Sequence, residues 1–211
     1  MAGVGATTPA LQQATHVVPI VFAQGIDPVG AGYIDSLGRP GGNTTGFVQL
    51  DYGLAGKWLE LLKEVAPQIK HVAMLREPAT AAVGQWAVMQ TVANSLNIET
   101  KPIDIREAAG IERAVSAFAQ SPDSGMITAV GAAAYRVFVA HGGLMSYATD
   151  IIGQYKRTAG YVDRILRGEK PAEMPVQNPT KYELVINLKS AKAIGLTVSP
   201  SLLSRANEVI E

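Results

Sequence analysis

The chain has 211 residues, 47% apolar and 17% charged, with 18 Lys+Arg against 18 Asp+Glu and no cysteine. That apolar share can fill a sizeable core and excludes a wholly disordered chain; the length suits one or two domains, with two small lobes expected. Zero net charge lacks the basic excess of a polyanion-binding surface, so nucleic acid is not an expected partner, and the missing cysteines exclude disulfides, thiolate metal sites and cysteine nucleophiles.

Val17-Val18-Pro19-Ile20-Val21-Phe22 reads as a buried strand. Asp27-Pro28 is a helix start, with Asp as N-cap and Pro at the first helical position. The breaker cluster from Gly38 to Asn43 is a loop, and Thr44 to Val48 a short strand. Leu54, Trp58, Leu61, Leu62 and Val65 share one helical face, with Asp51 placed to cap it and Pro67 to end it. His71 to Leu75 is a strand, Thr80 to Leu96 a helix with Asn97 as C-cap, and Ile98 to Ile103 a strand. Glu107 to Ala119 is a helix and Gly125 to Val130 a strand. Strands and helices in alternation imply a parallel sheet covered by helices.

The rhythm then breaks. Gly131 to Ala134 carries little pattern, and the apolar run Val137-Phe138-Val139 follows at once. A parallel crossover needs a dozen or more residues, and Ile127 to Val137 leaves no room for one. Further on, Ile151 to Leu166 is a long amphipathic helix ended by Gly168, Leu184 to Leu188 a strand, and Pro200 to Val209 a short helix.

No chemistry of catalysis stands out: no catalytic residue, metal site or cofactor is expected. His16, His71 and His141 have no ligand spacing between them, and no nucleophile elbow is present. Gly3-Val4-Gly5-Ala6-Thr7-Thr8 is a faint dinucleotide fingerprint with Thr8 at the third glycine position; it reads better as a strand-to-helix turn whose backbone N–H groups face an anion. Asp27 can hold an amine or simply cap a helix. Asn43-Thr44-Thr45 can orient a polar ligand or simply shape a turn. Tyr135, Phe138 and Tyr147 offer an aromatic wall, or core packing. Ligands of open α/β sheets sit outside the carboxyl ends of strands, which favours the segments around Ala6, Asp27, Glu77 and Val130.

Several motifs stand in an order that resembles a known family. They are Pro19-Ile20-Val21-Phe22-Ala23, Asp27-Pro28-Val29-Gly30-Ala31-Gly32, Arg39-Pro40-Gly41-Gly42-Asn43-Thr44-Thr45-Gly46, Leu54 to Lys63, Gly142 to Tyr147, and Pro179 to Lys189. Together they resemble the ABC transporter substrate-binding proteins, including tryptophan- and tyrosine-binding members, from the first residues to Glu211. The resemblance implies an α/β fold of the periplasmic-binding protein type I kind. Two Rossmann-like lobes with parallel sheets would clamp a small amino-acid-like ligand, aromatic or branched, and hand it to an ABC permease without breaking a bond. It implies a periplasmic or lipid-anchored extracellular location, although no signal peptide is visible: the first Lys or Arg is Arg39, and no apolar run nears the roughly 18 residues of a membrane helix.

Carried over by position, the ligand-binding residues would be Thr7, Gln24, Asp27, Asn43, Thr44, Thr45, Glu77, Thr80, Tyr135, Ser146 and Tyr147. Thr7, Thr44 and Thr45 would hold a carboxylate, Asp27 or Glu77 an amine, and Tyr135 or Tyr147 a ring. The chain departs from the family in three places: roughly two strand-helix units of about 30 residues each are expected before Met1, Gly131 to Ala134 stand where a helix and strand are usual, and Arg76-Glu77-Pro78 replaces a common Asn-Pro. The first lobe is therefore expected to be incomplete. It would comprise residues 1–46 with 149–174, the second lobe 47–139, and crossing or hinge segments 140–148 and 175–211. An open sheet edge would invite pairing with a second copy, giving a homodimer. Other readings are a cytosolic ligand-sensing or interaction domain of the same fold, and a shortened homologue that does not bind.

Overall fold

The computed structural model describes residues 7–49, 51–76, 82–104, 108–121, 123–129 and 135–211. Its elements begin with α1 (Thr7–Ala14), β1 (Ile20–Gly25), β2 (Thr44–Val48), α2 (Leu54–Val65), β3 (His71–Arg76) and α3 (Ala82–Ser95). Next come β4 (Glu99–Asp104), α4 (Ala108–Ala119), β5 (Ser124–Thr128), α5 (Tyr135–Ala140), β6 (Met145–Thr149) and α6 (Ile151–Leu166). A 3-10 turn at Pro171–Glu173 leads to β7 (Tyr182–Asn187), α7 (Leu188–Ala193), α8 (Pro200–Ser204) and β8 (Glu208–Ile210). They fall into two units, Met1–Asp51 with Thr149–Tyr182, and Tyr52–Ala148 with Glu183–Glu211.

In the first unit β1 and β2 are buried along their whole length and pair in parallel, Ile20 beside Thr44 and Phe22 beside Gly46. Strands buried on both faces read as unbroken apolar runs, which is why β1 is conspicuous in the sequence. The period of two splits their side chains between two clusters. Ile20, Phe22 and Val48 pack with Ile34 and Val176; Val21 and Phe47 pack with Tyr161 and Met174. The Phe47 and Tyr161 rings lie 4.8 Å apart.

Gly46 makes the pairing possible. Its φ is +155°, and a Cβ there would sit 2.1 Å from the Phe22 carbonyl oxygen. No side chain fits between the strands at that point.

In the second unit β4-β3-β5 form a parallel sheet, and β6-β7-β8 form a mixed one in which β7 and β8 are parallel while β6 runs antiparallel to β7, with Asn187 N–H donating to the Leu144 carbonyl at one end and Asp150 N–H to the Lys181 carbonyl at the other. The face expected of α2 is the one it buries: Leu54, Trp58, Leu61, Leu62 and Val65 are all in the core. The β3-α3-β4-α4-β5 alternation stands as expected, and Asn97 ends its helix with a φ of +52°.

Several local expectations are corrected. Asp27 has a φ of +42°, a left-handed backbone where an N-cap needs an extended one, so no helix starts there. The chain instead turns back, with Ala31 N–H donating to the Asp27 carbonyl and Tyr33 N–H to that of Pro28. The N-cap of α2 is Gly53, not Asp51. Val137-Phe138-Val139 lies in a short helix, α5, because only Val139 is buried while its two neighbours face out. Pro200 to Val209 is not one helix: α8 stops at Ser204 and Glu208–Ile210 pairs with β7.

Replacing Gly46 by alanine should destabilise the first unit by about 2–3 kcal/mol, from a clash with backbone that cannot retreat. Urea unfolding followed by tyrosine absorbance and circular dichroism checks this; a loss below about 0.5 kcal/mol would mean the strands can separate at Gly46.

Candidate functional site

The carboxyl ends of β1 and β2 are where a doubly wound sheet presents its ligand site. In the first unit these ends carry a chain of buried amides. Gln24 Nε2 donates to Gln154 Oε1, and Gln154 Nε2 donates to the Val48 carbonyl. Gln154 and Thr158 are fully enclosed, and the Thr158 hydroxyl donates to the Gln154 carbonyl at 2.9 Å. The Thr149 hydroxyl donates to the Gln49 carbonyl at 3.0 Å, and Gln49 N–H to the Gly25 carbonyl at 2.7 Å.

One polar atom at this end has no partner among the described residues. Gln49 is 8% exposed, and its Oε1 is buried without a hydrogen bond. Leaving an acceptor unsatisfied costs about 1–3 kcal/mol, so native structures rarely keep one without a use.

The helix that brings Gln154 here starts at Asp150, whose carboxylate accepts from Gly153 N–H at 2.8 Å and pairs with Lys181 Nζ at 2.9 Å. The bond from Lys181, then that from Gly153, holds the Asp150 carboxyl below its ordinary range. The carboxylate side chain is 14% exposed, so the pair is only lightly screened.

The expected site residues lie in three places. Gln24 and Asp27 are together at the carboxyl end of β1, Gln24 buried and Asp27 exposed, with Asp27 Oδ1 accepting from Gly30 N–H at 3.0 Å. Thr7 stands exposed at the first position of α1. Asn43, Thr44 and Thr45 are at the amino end of β2. Asn43 donates to the Thr15 and Val18 carbonyls, Thr44 Oγ1 accepts from Gln12 Nε2 at 2.9 Å, and the Thr45 hydroxyl donates to the Met174 carbonyl at 2.7 Å. All three side chains serve the fold there.

Ser146 and Tyr147 lie in β6 of the second unit, Ser146 buried. Tyr135 opens α5. Glu77 and Thr80 lie outside the described residues. Gln49 and Gln154 were not expected; the carboxyl-end rule applied to β2 points to Gln49, whereas no local signal marks Gln154. Among the described residues no three His, Cys, Asp or Glu side chains gather as a metal site would need, and no helix is long and apolar enough to cross a membrane.

The sequence matches the family described as ABC transporter substrate binding protein over residues 1–131 and 129–210. A tyrosine-binding protein of Clostridioides difficile (strain R20291) is 39% identical over 72 residues, a third of this chain and only a fifth of that protein's length. Among solved structures, a conserved domain protein from Vibrio cholerae superposes with a TM-score of 0.81 at 27% identity, covering 98% of this chain and 76% of that one. An ABC domain from Streptococcus pneumonia in complex with L-Trp has a TM-score of 0.81 at 23% identity, covering 99% and 79%. A ligand-free, open substrate binding protein with adhesive properties from Clostridium difficile gives 0.73 at 20% identity, covering 99% and 77%. The fold of this chain is therefore that of the type I periplasmic-binding proteins.

Two predictions follow from the amide chain and its helix. Gln154→Leu strands Gln24 Nε2 and the Val48 carbonyl together and should cost about 2–4 kcal/mol in denaturant unfolding; a near-neutral result would show that the two groups find other partners. Asp150→Asn should cost about 1 kcal/mol at pH 7. Because the folded-state pKa of Asp150 is lowered, its contribution is present above the ordinary carboxyl range and lost as pH falls through the folded value. The stability gap between wild type and Asp150→Asn should therefore start to narrow near about pH 4 and close as pH falls below the folded value, and a gap that does not narrow on that descent would exclude the carboxylate as its source.

Proposed function

The chain belongs to the ABC transporter substrate-binding protein family, and from that membership we propose that it is the solute-binding component of an ABC importer. Its ligand is a small amino acid with an aromatic or other apolar side chain, and it delivers that ligand to a permease outside the cytoplasmic membrane. The L-Trp complex among the solved structures and the tyrosine-binding relative support the ligand class.

The observation that carries the reading is Gln49 Oε1 at the carboxyl end of β2, buried and without a partner among the described residues. An ammonium group brings the hydrogen-bond donors that this acceptor lacks, and the exposed carboxylate of Asp27, just beyond β1, adds the opposite charge. Gln24 is held by Gln154 and so presents a fixed surface beside them. The amino end of α1, with Thr7 at its first position, suits the ligand carboxylate, since helix starts direct backbone N–H groups outward. Asn43, Thr44 and Thr45 support β2 and do not touch the ligand.

Isothermal titration of the purified chain against L-tryptophan, L-tyrosine, L-leucine and L-arabinose tests this. Saturable binding of at least one amino acid and none of the sugar is expected. Gln49→Leu should weaken that binding at least tenfold while leaving the unfolding midpoint equal or higher, because it removes an unsatisfied acceptor. No binding of any amino acid would overturn the ligand class, and unchanged affinity in Gln49→Leu would overturn the assignment of Gln49.

A further inference from the structure

The second unit contains a cavity of about 250 Å³, and every residue lining it belongs to that unit. Its wall is apolar and rich in rings and thioethers: Trp58 from α2, Met126 from β5, Phe138 from α5, and Met145 and Tyr147 from β6. No charged side chain lines it. Phe138 and Ile194, both exposed, stand at its mouth. Two of the rings are held in place. The Trp58 indole N–H donates to the Tyr147 carbonyl at 2.6 Å. The Phe138 ring lies so close to Gly143 that a Cβ there would come within 2.3 Å of it.

Two hydroxyl residues in this apolar lining have no side-chain hydrogen bond among the described residues: Thr128, at the end of β5, and Ser146, in β6. Ser124, which also lines the cavity, is used by the fold, since its hydroxyl donates to the Ser121 carbonyl at 2.7 Å. Ser146 is only 7% exposed. A hydroxyl set that deep costs stability unless some group bonds it, so native structures rarely leave one idle.

We propose that this cavity binds an uncharged aromatic molecule of one ring or two fused rings that carries a single hydroxyl or N–H, a phenol or an indole. A cavity of roughly 150 Å³ admits benzene, so this one has space for a somewhat larger ring system. Trp58, Phe138 and Tyr147 offer ring faces and edges to pack against, and the sulfurs of Met126 and Met145 favour ring contacts. Ser146 and Thr128 supply acceptors for the ligand's one polar hydrogen. A zwitterionic amino acid does not suit this wall, because neither its ammonium nor its carboxylate would meet an opposite charge, and burying an unpaired charge is prohibitive. The cavity shares no residue with Gln49 and Asp27, which belong to the first unit, so it is a second site and does not rest on the amino-acid reading.

The probe is p-cresol, added to the full chain and followed in proton–nitrogen correlation spectra. Toluene, the same ring without the hydroxyl, and benzoate, a charged ring, are the controls. The chain has two tryptophans, so Trp86→Phe identifies the Trp58 indole N–H resonance. p-Cresol should move that resonance and the Ser146 and Thr128 amides saturably and leave the Gln49 amide in place. Toluene should bind about fivefold more weakly, the worth of one hydrogen bond, and benzoate not at all. Ser146→Ala removes one oxygen and adds no bulk; it should weaken p-cresol about fivefold and leave toluene unchanged. No saturable shift at millimolar p-cresol would overturn the proposal and leave the hydroxyls to water. Equal binding of benzoate, or p-cresol affinity unaffected by Ser146→Ala, would overturn it as well. L-Tryptophan moving the same Trp58 resonance and yielding to p-cresol would overturn it by making the cavity the amino-acid site. A chain that takes p-cresol and no amino acid would support this site and remove the amino-acid reading alone, so the two failures are told apart.

Discussion

A buried parallel strand pair has to be closed by something that can meet its polar end groups. In the first unit that closure is one side chain, Gln154, which accepts from Gln24 of β1 and donates to the last carbonyl of β2. The two bonds bridge 130 and 106 positions of sequence, so the sheet and the return helix α6 depend on each other. Around them the requirements are equally specific. Gly46 leaves room for the Phe22 carbonyl, and Asp150 starts α6 at the point where Lys181 can neutralise it.

The two ends of β2 have different chemistry for the same reason. At its amino end every polar side chain in view is taken up by the fold: Asn43 binds the loop before β1, Thr44 receives Gln12, and Thr45 holds the Met174 carbonyl. At its carboxyl end the main-chain groups of Gln49 are satisfied, and its side-chain oxygen has no partner among the described residues. An end without spare polar groups supports structure, and an end with a buried acceptor left over is available to a ligand donor.

In the second unit the strand alternation runs without interruption to β5 and then stops, because the next strand, β6, belongs to another sheet. The short α5 between them is far too small to be a crossover, as the spacing in the sequence requires. Between them lies a cavity lined mainly by apolar side chains, across which the Trp58 indole donates to the Tyr147 carbonyl.

The sequence by itself determined the α/β class, the buried strand β1, the short strand β2, the packed face of α2 and the alternation from β3 to β5. Those features are written in local periodicities of two and 3.6, which a short window contains. It also carried the family motifs, because they are contiguous. Only the tertiary structure decided that Val137-Phe138-Val139 is a helical turn, since that depends on what covers one side of it. Tertiary structure alone turned Thr44 and Thr45 inward and left Gln49 Oε1 without a partner among the described residues. A polar side chain is structural or available according to which distant atoms reach it, and Gln12, Met174 and Gln154 reach the strands from positions that no local pattern connects to them.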